Sequence, residues 1–159
     1  MSNLDDFRAS KINTWPIVLL RVYTGVFFAY YGVRKIMGGF DGDGTVGFLN
    51  SPNTEGMLGF YRPIVEHVIT PASGVFAFLV AWGELFLGIA LILGLMTRYA
   101  AYLGAFMVLN FWFAKGQGVL DAQNHDVIWF VILIVLGALH AGRTMGLDSK
   151  LSGKYKFLA

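Results

Sequence analysis

Apolar residues fill the chain in four long runs, separated by short stretches rich in glycine and charge. The runs cover about residues 15–37, 72–96, 99–114 and 126–141, and each reads as a helix that is apolar around most of its circumference. The second run is the most informative. From Ala72 to Met96 it holds 25 residues with a single charge, Glu84, near the middle. A helix of that length measures about 37 Å, enough to cross a hydrocarbon core of about 30 Å with some tilt. The pattern therefore predicts an all-α membrane protein: a four-transmembrane-helix bundle forming one membrane domain over residues 1–159.

Polar positions within the runs are not scattered. Asn13 or Thr14 is placed to cap the first helix, with Trp15 as an interfacial anchor and Pro16 in the first turn. Along that helix Arg21, Gly25, Phe28, Gly32 and Lys35 fall within about 40° of one line, a stripe that should face protein or water rather than lipid. In the second run Ser73, Ala77, Glu84, Gly88 and, just beyond it, Arg98 cluster on one face. The third run is short and aromatic and contains Asn110. A polar loop, KGQGVLDAQNHD, leads from it to the fourth.

The longest connection, residues 38–70, has two parts. The first, GGFDGDGTVGFLNSPN, carries Asp41 and Asp43 among glycines but has neither the spacing of a calcium-binding loop nor that of a phosphate-binding loop, so no metal site is expected. The second, GMLGFYRPIVEHVI, mixes apolar, aromatic and ionisable residues and predicts a short interfacial helix, broken near Pro63, on the extracytoplasmic side.

Composition narrows the class. Hydrophobic residues make up 56% of the chain and charged residues 14%, against about 25% charged in an ordinary soluble domain. A net charge of +2 does not suggest nucleic acid as a partner, and the absence of cysteine excludes disulfides, redox thiol pairs and thiolate metal sites within this chain. The first residues, MSNLDDFRASK, contain two aspartates and precede an apolar run too long for a cleavable signal, so that run reads as a permanent span. Arg8, Lys11, Arg98, Arg143, Lys150, Lys154 and Lys156 lie at one end of the expected bundle, against Arg34, Lys35, Arg62 and Lys115 at the other. That asymmetry predicts both termini in the cytoplasm.

A carboxylate in mid-membrane costs about 2.5–3.5 kcal/mol on insertion scales, so Glu84 needs an offsetting partner or a proton. Arg21 is the first candidate. It lies about 9 Å inside the bundle against about 16 Å for Glu84, an offset that an arginine side chain largely spans. The rival reading has Arg21 reaching back to the interface and Glu84 protonated. A pair would either only hold two helices in register or line a pocket where a quinone head group or a proton is handled. His125 and His140 lie about 22 Å apart along one helix, and no second span offers a histidine at the same depth, so no haem is expected. His67 reads as a solvated group of the outer loop.

Taken together, the motifs have a familiar order. The first span reads R-x3-G-x6-G-x2-K (Arg21, Gly25, Gly32, Lys35), the second G-E-x3-G-x5-G-x3-R (Gly83, Glu84, Gly88, Gly94, Arg98), and the chain closes on G-R-x3-L-D (Gly142, Arg143, Leu147, Asp148). From about residue 16 to 148 this resembles the DoxX/DoxD family of small four-helix integral membrane proteins, which includes the membrane subunit of a thiosulfate:quinone oxidoreductase. The resemblance implies a bacterial or archaeal cytoplasmic membrane, other protein subunits as partners, and Arg21 and Glu84 as the polar heart of the bundle with Arg98 at its rim. It leaves two expectations. In one, the chain is the membrane subunit of a redox complex, with Glu84 and Arg21 as catalytic candidates and Arg21, Glu84, Tyr30, Tyr31 and Arg98 as candidates for binding a quinone. In the other, it is a non-catalytic accessory subunit of a larger respiratory or photosynthetic complex. No residues for flavin or an iron–sulfur cluster are evident, so electrons would come from a partner.

Overall fold

A computed structural model describes residues 14–155. The polar lead, with Arg8, Lys11 and the alternative cap Asn13, lies outside the described residues, as does Lys156. Among the described residues all regular structure is helical. Helix α1 spans Trp15–Met37, and the short α2 spans Gly42–Leu49. Helix α3 begins as a single turn, Arg62–Ile64, and continues as a π-helical turn, Val65–Ile69. Then come α4, Ser73–Leu93, α5, Thr97–Lys115, and α6, His125–Ala138, with α7, Leu147–Leu151, following a 3-10 turn at Ala141–Arg143. Of these, α1 and α4 are long and apolar enough to cross a membrane, and α6 is a shorter apolar helix.

Local chemistry explains the boundaries. Thr14 stands at the N-cap of α1 without a side-chain cap bond, and Pro16 in the first turn needs no partner for an N–H. The second apolar run stops being helical three residues before Met96. Gly94 takes a left-handed conformation (φ 65°), and Leu95 N–H bonds back to Ala90 O at 2.9 Å, which closes the helix. Met96, also left-handed (φ 48°), then turns the chain into α5. Arg98 consequently belongs to the first turn of α5, not to the Glu84 face of α4 as its spacing suggested.

Helices α1 and α4 pack as a close antiparallel hairpin through their small residues. A Cβ at Gly25 would stand 2.8 Å from Gly88 O, and one at Gly88 would run into the backbone of Ala29 and Gly25. Gly32 lies against Leu85 and Ala81 in the same way. Helices α5 and α6 form the second hairpin. Between the two hairpins a shared core buries Phe28, Leu87, Leu91, Ala101, Ala105, Val108, Leu133 and Leu136. Outward, large apolar side chains such as Val75, Phe78, Phe86, Leu103 and Phe106 are exposed.

The 38–70 segment folds onto one end of the bundle. Asp41 caps α2, its Oδ1 accepting from Gly44 N–H at 3.0 Å, so this carboxylate serves the helix start. Leu58 N–H bonds to Phe113 O at 3.1 Å, and Tyr61, Val65 and Ile69 pack with Ala114 in a second small core. Pro63 does not break the expected interfacial helix. It lies in the first turn of α3, where its missing N–H costs nothing, with turns before it and the change to π-helical bonding two residues after it.

Candidate functional site

Glu84 lies in the middle of α4 on the face that meets α1, and its side chain is 5% exposed. Its partner is Lys35, whose Nζ stands 2.5 Å from Glu84 Oε2. The expected Arg21–Glu84 pair does not form, and Arg21 reaches back toward its own end of the bundle, for a geometric reason. A helical side chain leans toward the N-terminus of its own helix. In an antiparallel pair, Arg21 therefore leans toward one end of the bundle and Glu84 toward the other. Lys35, two turns beyond Phe28 on the same stripe, leans back into the bundle just as Glu84 leans out to meet it. The sequence carries this signal as the glycine–lysine stripe of α1, on which Lys35 stands at the opposite end from Arg21.

Lys35 keeps 26% of its side chain exposed, far more than Glu84, and its ammonium lies over the ring of Phe111 on α5, 6.0 Å from the centroid. The site thus presents a donor at its open edge and a buried acceptor behind it. Thr24 and Phe28 line the same stripe of α1 and are buried, while Gly32 lets α4 approach.

Arg21 is also buried, at 2% exposure, but at the opposite end. Its guanidinium donates to Ala141 O at 2.7 Å and to Thr144 O at 3.0 Å. These carbonyls belong to the segment after α6, which folds back across the α4–α5 turn. Asp148 fixes that segment from the other side. Its Oδ1 accepts from Met96 N–H at 2.7 Å and its Oδ2 from Thr97 N–H at 2.9 Å, while Asp148 N–H donates to Gly94 O at 2.8 Å. A carboxylate on the first N–H groups of α5 is well placed against the helix dipole, and it attracts the Arg21 guanidinium as well. The closing G-R-x3-L-D pattern is thereby explained as a clamp on the turn. Gly142 sits against Thr97 and Asp148 with no space for a side chain.

The remaining candidates are dispersed. Tyr30 and Tyr31 are 55% and 41% exposed on the outward side of α1, Tyr30 beside Arg34 and Tyr31 against Phe27. Arg98 is exposed at the start of α5. His125 is exposed in the first turn of α6, His140 bonds to Ala138 O, and His67 bonds to Pro63 O. The structure therefore gathers Glu84 with Lys35, not with Arg21, Tyr30, Tyr31 or Arg98.

A second ion pair, which joins none of the predicted candidates, brackets the polar loop. Lys115, the last residue of α5, places Nζ 3.1 Å from Oδ1 and 2.8 Å from Oδ2 of Asp126 in the first turn of α6. Beside it, the buried Asn124 caps α6 and also donates to Gly118 O. Opposite charges at the two ends of the polar loop between adjacent antiparallel helices are the signal in the sequence. Nearby, Tyr61 O–H donates to Asn110 Oδ1 at 2.9 Å, and burial pushes the Tyr61 phenol above its ordinary pKa.

A family model described as DoxX matches residues 17–116, which include α1, the 38–70 segment, α4 and α5. No curated protein and no solved structure matches the chain.

Proposed function

The chain belongs to the DoxX family of membrane proteins, and from that premise we propose that it is a four-span integral membrane subunit of a redox assembly, whose Lys35–Glu84 pair handles a proton beside a quinone head group. Both hairpins share one core, which supports reading α5 and α6 as spans beside α1 and α4. The excess of cations at the clamp end favours that end as cytoplasmic, in a bacterial or archaeal cytoplasmic membrane, with the 38–70 segment outside.

The observation that carries the site is the inequality within the pair. The carboxylate is almost wholly buried and the lysine is a quarter open. A quinone carbonyl at that edge accepts a hydrogen bond from Lys35 Nζ, which stabilises the charge that develops on the oxygen as the ring is reduced. Two electrons and two protons convert the ring to the quinol. The electrons come from a partner protein with its own redox centre. Glu84 relays one of the two protons to the reduced ring and is recharged from solution, and water supplies the other. Arg21 takes no part in this step, since both its bonded carbonyls belong to the clamp.

The test is Glu84→Gln in the native membrane, with assembly followed by pull-down and quinone reduction measured on the assembled complex. The expected result is intact assembly with turnover lowered at least about tenfold, within the range general acid–base groups contribute. Undiminished turnover would overturn the assignment. It would favour the accessory-subunit reading, which has one observation on its side: Lys35 is already paired with Glu84.

A further inference from the structure

The clamp brings three separate stretches of chain to one junction. Gly142 packs against both Thr97 and Asp148. Thr97 N–H donates to Asp148 Oδ2 at 2.9 Å, which ties those two to each other. A cation follows each of the three: Arg143 comes directly after Gly142, Arg98 directly after Thr97, and Lys150 two residues after Asp148. All three cations are exposed. Consecutive Cα atoms lie about 3.8 Å apart, so each cation starts no more than about two such steps from the junction. Arg98 stands in the first turn of α5, and a helical side chain leans toward the N-terminus of its helix, here toward the clamp end.

Among the described residues none of the three has a carboxylate partner, since the ion pairs Lys35–Glu84 and Lys115–Asp126 lie at the opposite end. Asp148 is buried, with both oxygens accepting backbone N–H groups, and its charge is balanced by the buried Arg21. Three positive charges therefore stay uncompensated around the junction. Apolar side chains interleave with them. Met96 and Tyr99 flank Arg98, Met145 follows Arg143, and all are exposed, Met145 at 81%. The neighbours of Met145 are both fixed, Thr144 by its bond from Arg21 and Gly146 against Gly94, so the fold itself holds this methionine outward. A free anion, an acidic peptide or a nucleic acid would meet the charges and leave the methionines in water. A phospholipid with a negative headgroup meets both, its phosphate facing the cations and its acyl chains the apolar side chains.

We propose that the clamp end carries a binding site for an anionic phospholipid, with Arg98, Arg143 and Lys150 around the phosphate and Met96 and Met145 against the upper part of the acyl chains. The arginines offer planar forks that match phosphate oxygens, and the lysine adds a mobile point charge. The site goes beyond the redox reading and does not depend on it. It needs only a bundle in a membrane with the clamp end at the interface. Because the three cations come from stretches that the clamp holds together, bound lipid also stabilises the clamp.

The experiment titrates the full-length chain, purified in a neutral detergent, with phosphatidylglycerol or with phosphatidylcholine of the same acyl chains, and native mass spectrometry counts the lipid retained. The expected result is binding of phosphatidylglycerol at least about tenfold tighter than of phosphatidylcholine. Arg98→Gln, Arg143→Gln and Lys150→Gln should each weaken it about fivefold, the share of one cation beside an anionic lipid. Arg62→Gln, which removes an exposed cation at the other end, should leave it unchanged. Equal affinity for the two lipids, or a loss with Arg62→Gln as large as with the other three, would overturn the site. Displacement of phosphatidylglycerol by an equal concentration of glycerol phosphate would overturn the lipid in favour of a free phosphate. Asp148→Ala separates a built site from mere net charge. It removes a negative charge but releases the junction, so phosphatidylglycerol binding should weaken, and tighter binding would show a diffuse positive surface and defeat the proposal.

Discussion

Lys35 reaches back along α1 and Glu84 reaches outward along α4, so that Nζ and Oε2 meet at 2.5 Å across the close α1–α4 interface. The two residues are unequal in their access to water, and that inequality sets what each substitution does. Lys35→Met leaves a buried carboxylate without its partner, whereas Glu84→Gln leaves a lysine whose flexible stem can carry the ammonium out of the bundle. Lys35→Met should therefore lower stability by about 2–3 kcal/mol, somewhat less than for a fully buried pair, and Glu84→Gln by about 1 kcal/mol. Thermal unfolding in mild detergent measures both, and equal or reversed losses would contradict the picture.

The α1–α4 interface makes a sharper distinction between two glycines of one motif. Gly88 faces the backbone of Ala29 and Gly25, which cannot yield, while a Cβ at Gly83 would meet only the sulfur of Met107 at 3.7 Å. Gly88→Ala should push the helices apart and cost about 2 kcal/mol or more. Gly83→Ala should be neutral or stabilising by up to about 1 kcal/mol, since alanine is the better helix former. Cysteine cross-linking between α1 and α4 would report the separation directly, falling in the first variant and unchanged in the second.

Asp148 joins residues 52 positions apart in sequence, from α7 to Met96. Asp148→Ala should cost about 2 kcal/mol, the upper range for loss of a helix cap, because it also removes the carboxylate that attracts Arg21. Asp148→Asn keeps one acceptor and should cost about half as much. Limited proteolysis should show the segment after α6 cut sooner in the alanine variant, and resistance equal to that of the unaltered protein would refute the clamp.

Tyr61 gives a pH-dependent prediction outside the membrane-spanning helices. Burial raises its folded-state pKa above the unfolded value of about 10. Its contribution is fully present below pH about 10 and is lost as pH rises through the raised folded value, because the unfolded state releases its proton first. Tyr61→Phe also removes the bond to Asn110. The stability difference between the two proteins should be constant, about 1 kcal/mol, up to pH about 10 and shrink above it. A difference that grew with pH would reverse the sign of the argument.

Much of this protein was legible in its residues. Helical apolar runs, the small-residue stripes carrying Gly25, Gly32 and Gly88, and the demand that Glu84 be offset all follow from composition and from a 3.6-residue period. So does the family, through the order of its motifs. What the period does not carry is direction. Arg21 and Lys35 share one stripe, and only the antiparallel packing of α1 on α4, in the register that Gly25 and Gly88 allow, shows that one leans away from Glu84 and the other toward it. Nor does any local pattern show that a segment after α6 returns to the α4–α5 turn, where Arg21 and Asp148 hold it, or that Lys115 and Asp126 meet. Those contacts join residues distant in the chain, and they exist because two hairpins share one core and bring their ends together. The sequence determined which groups had to be satisfied; the tertiary arrangement decided which neighbour satisfied each, because a side chain can bond only where the packed backbones point it.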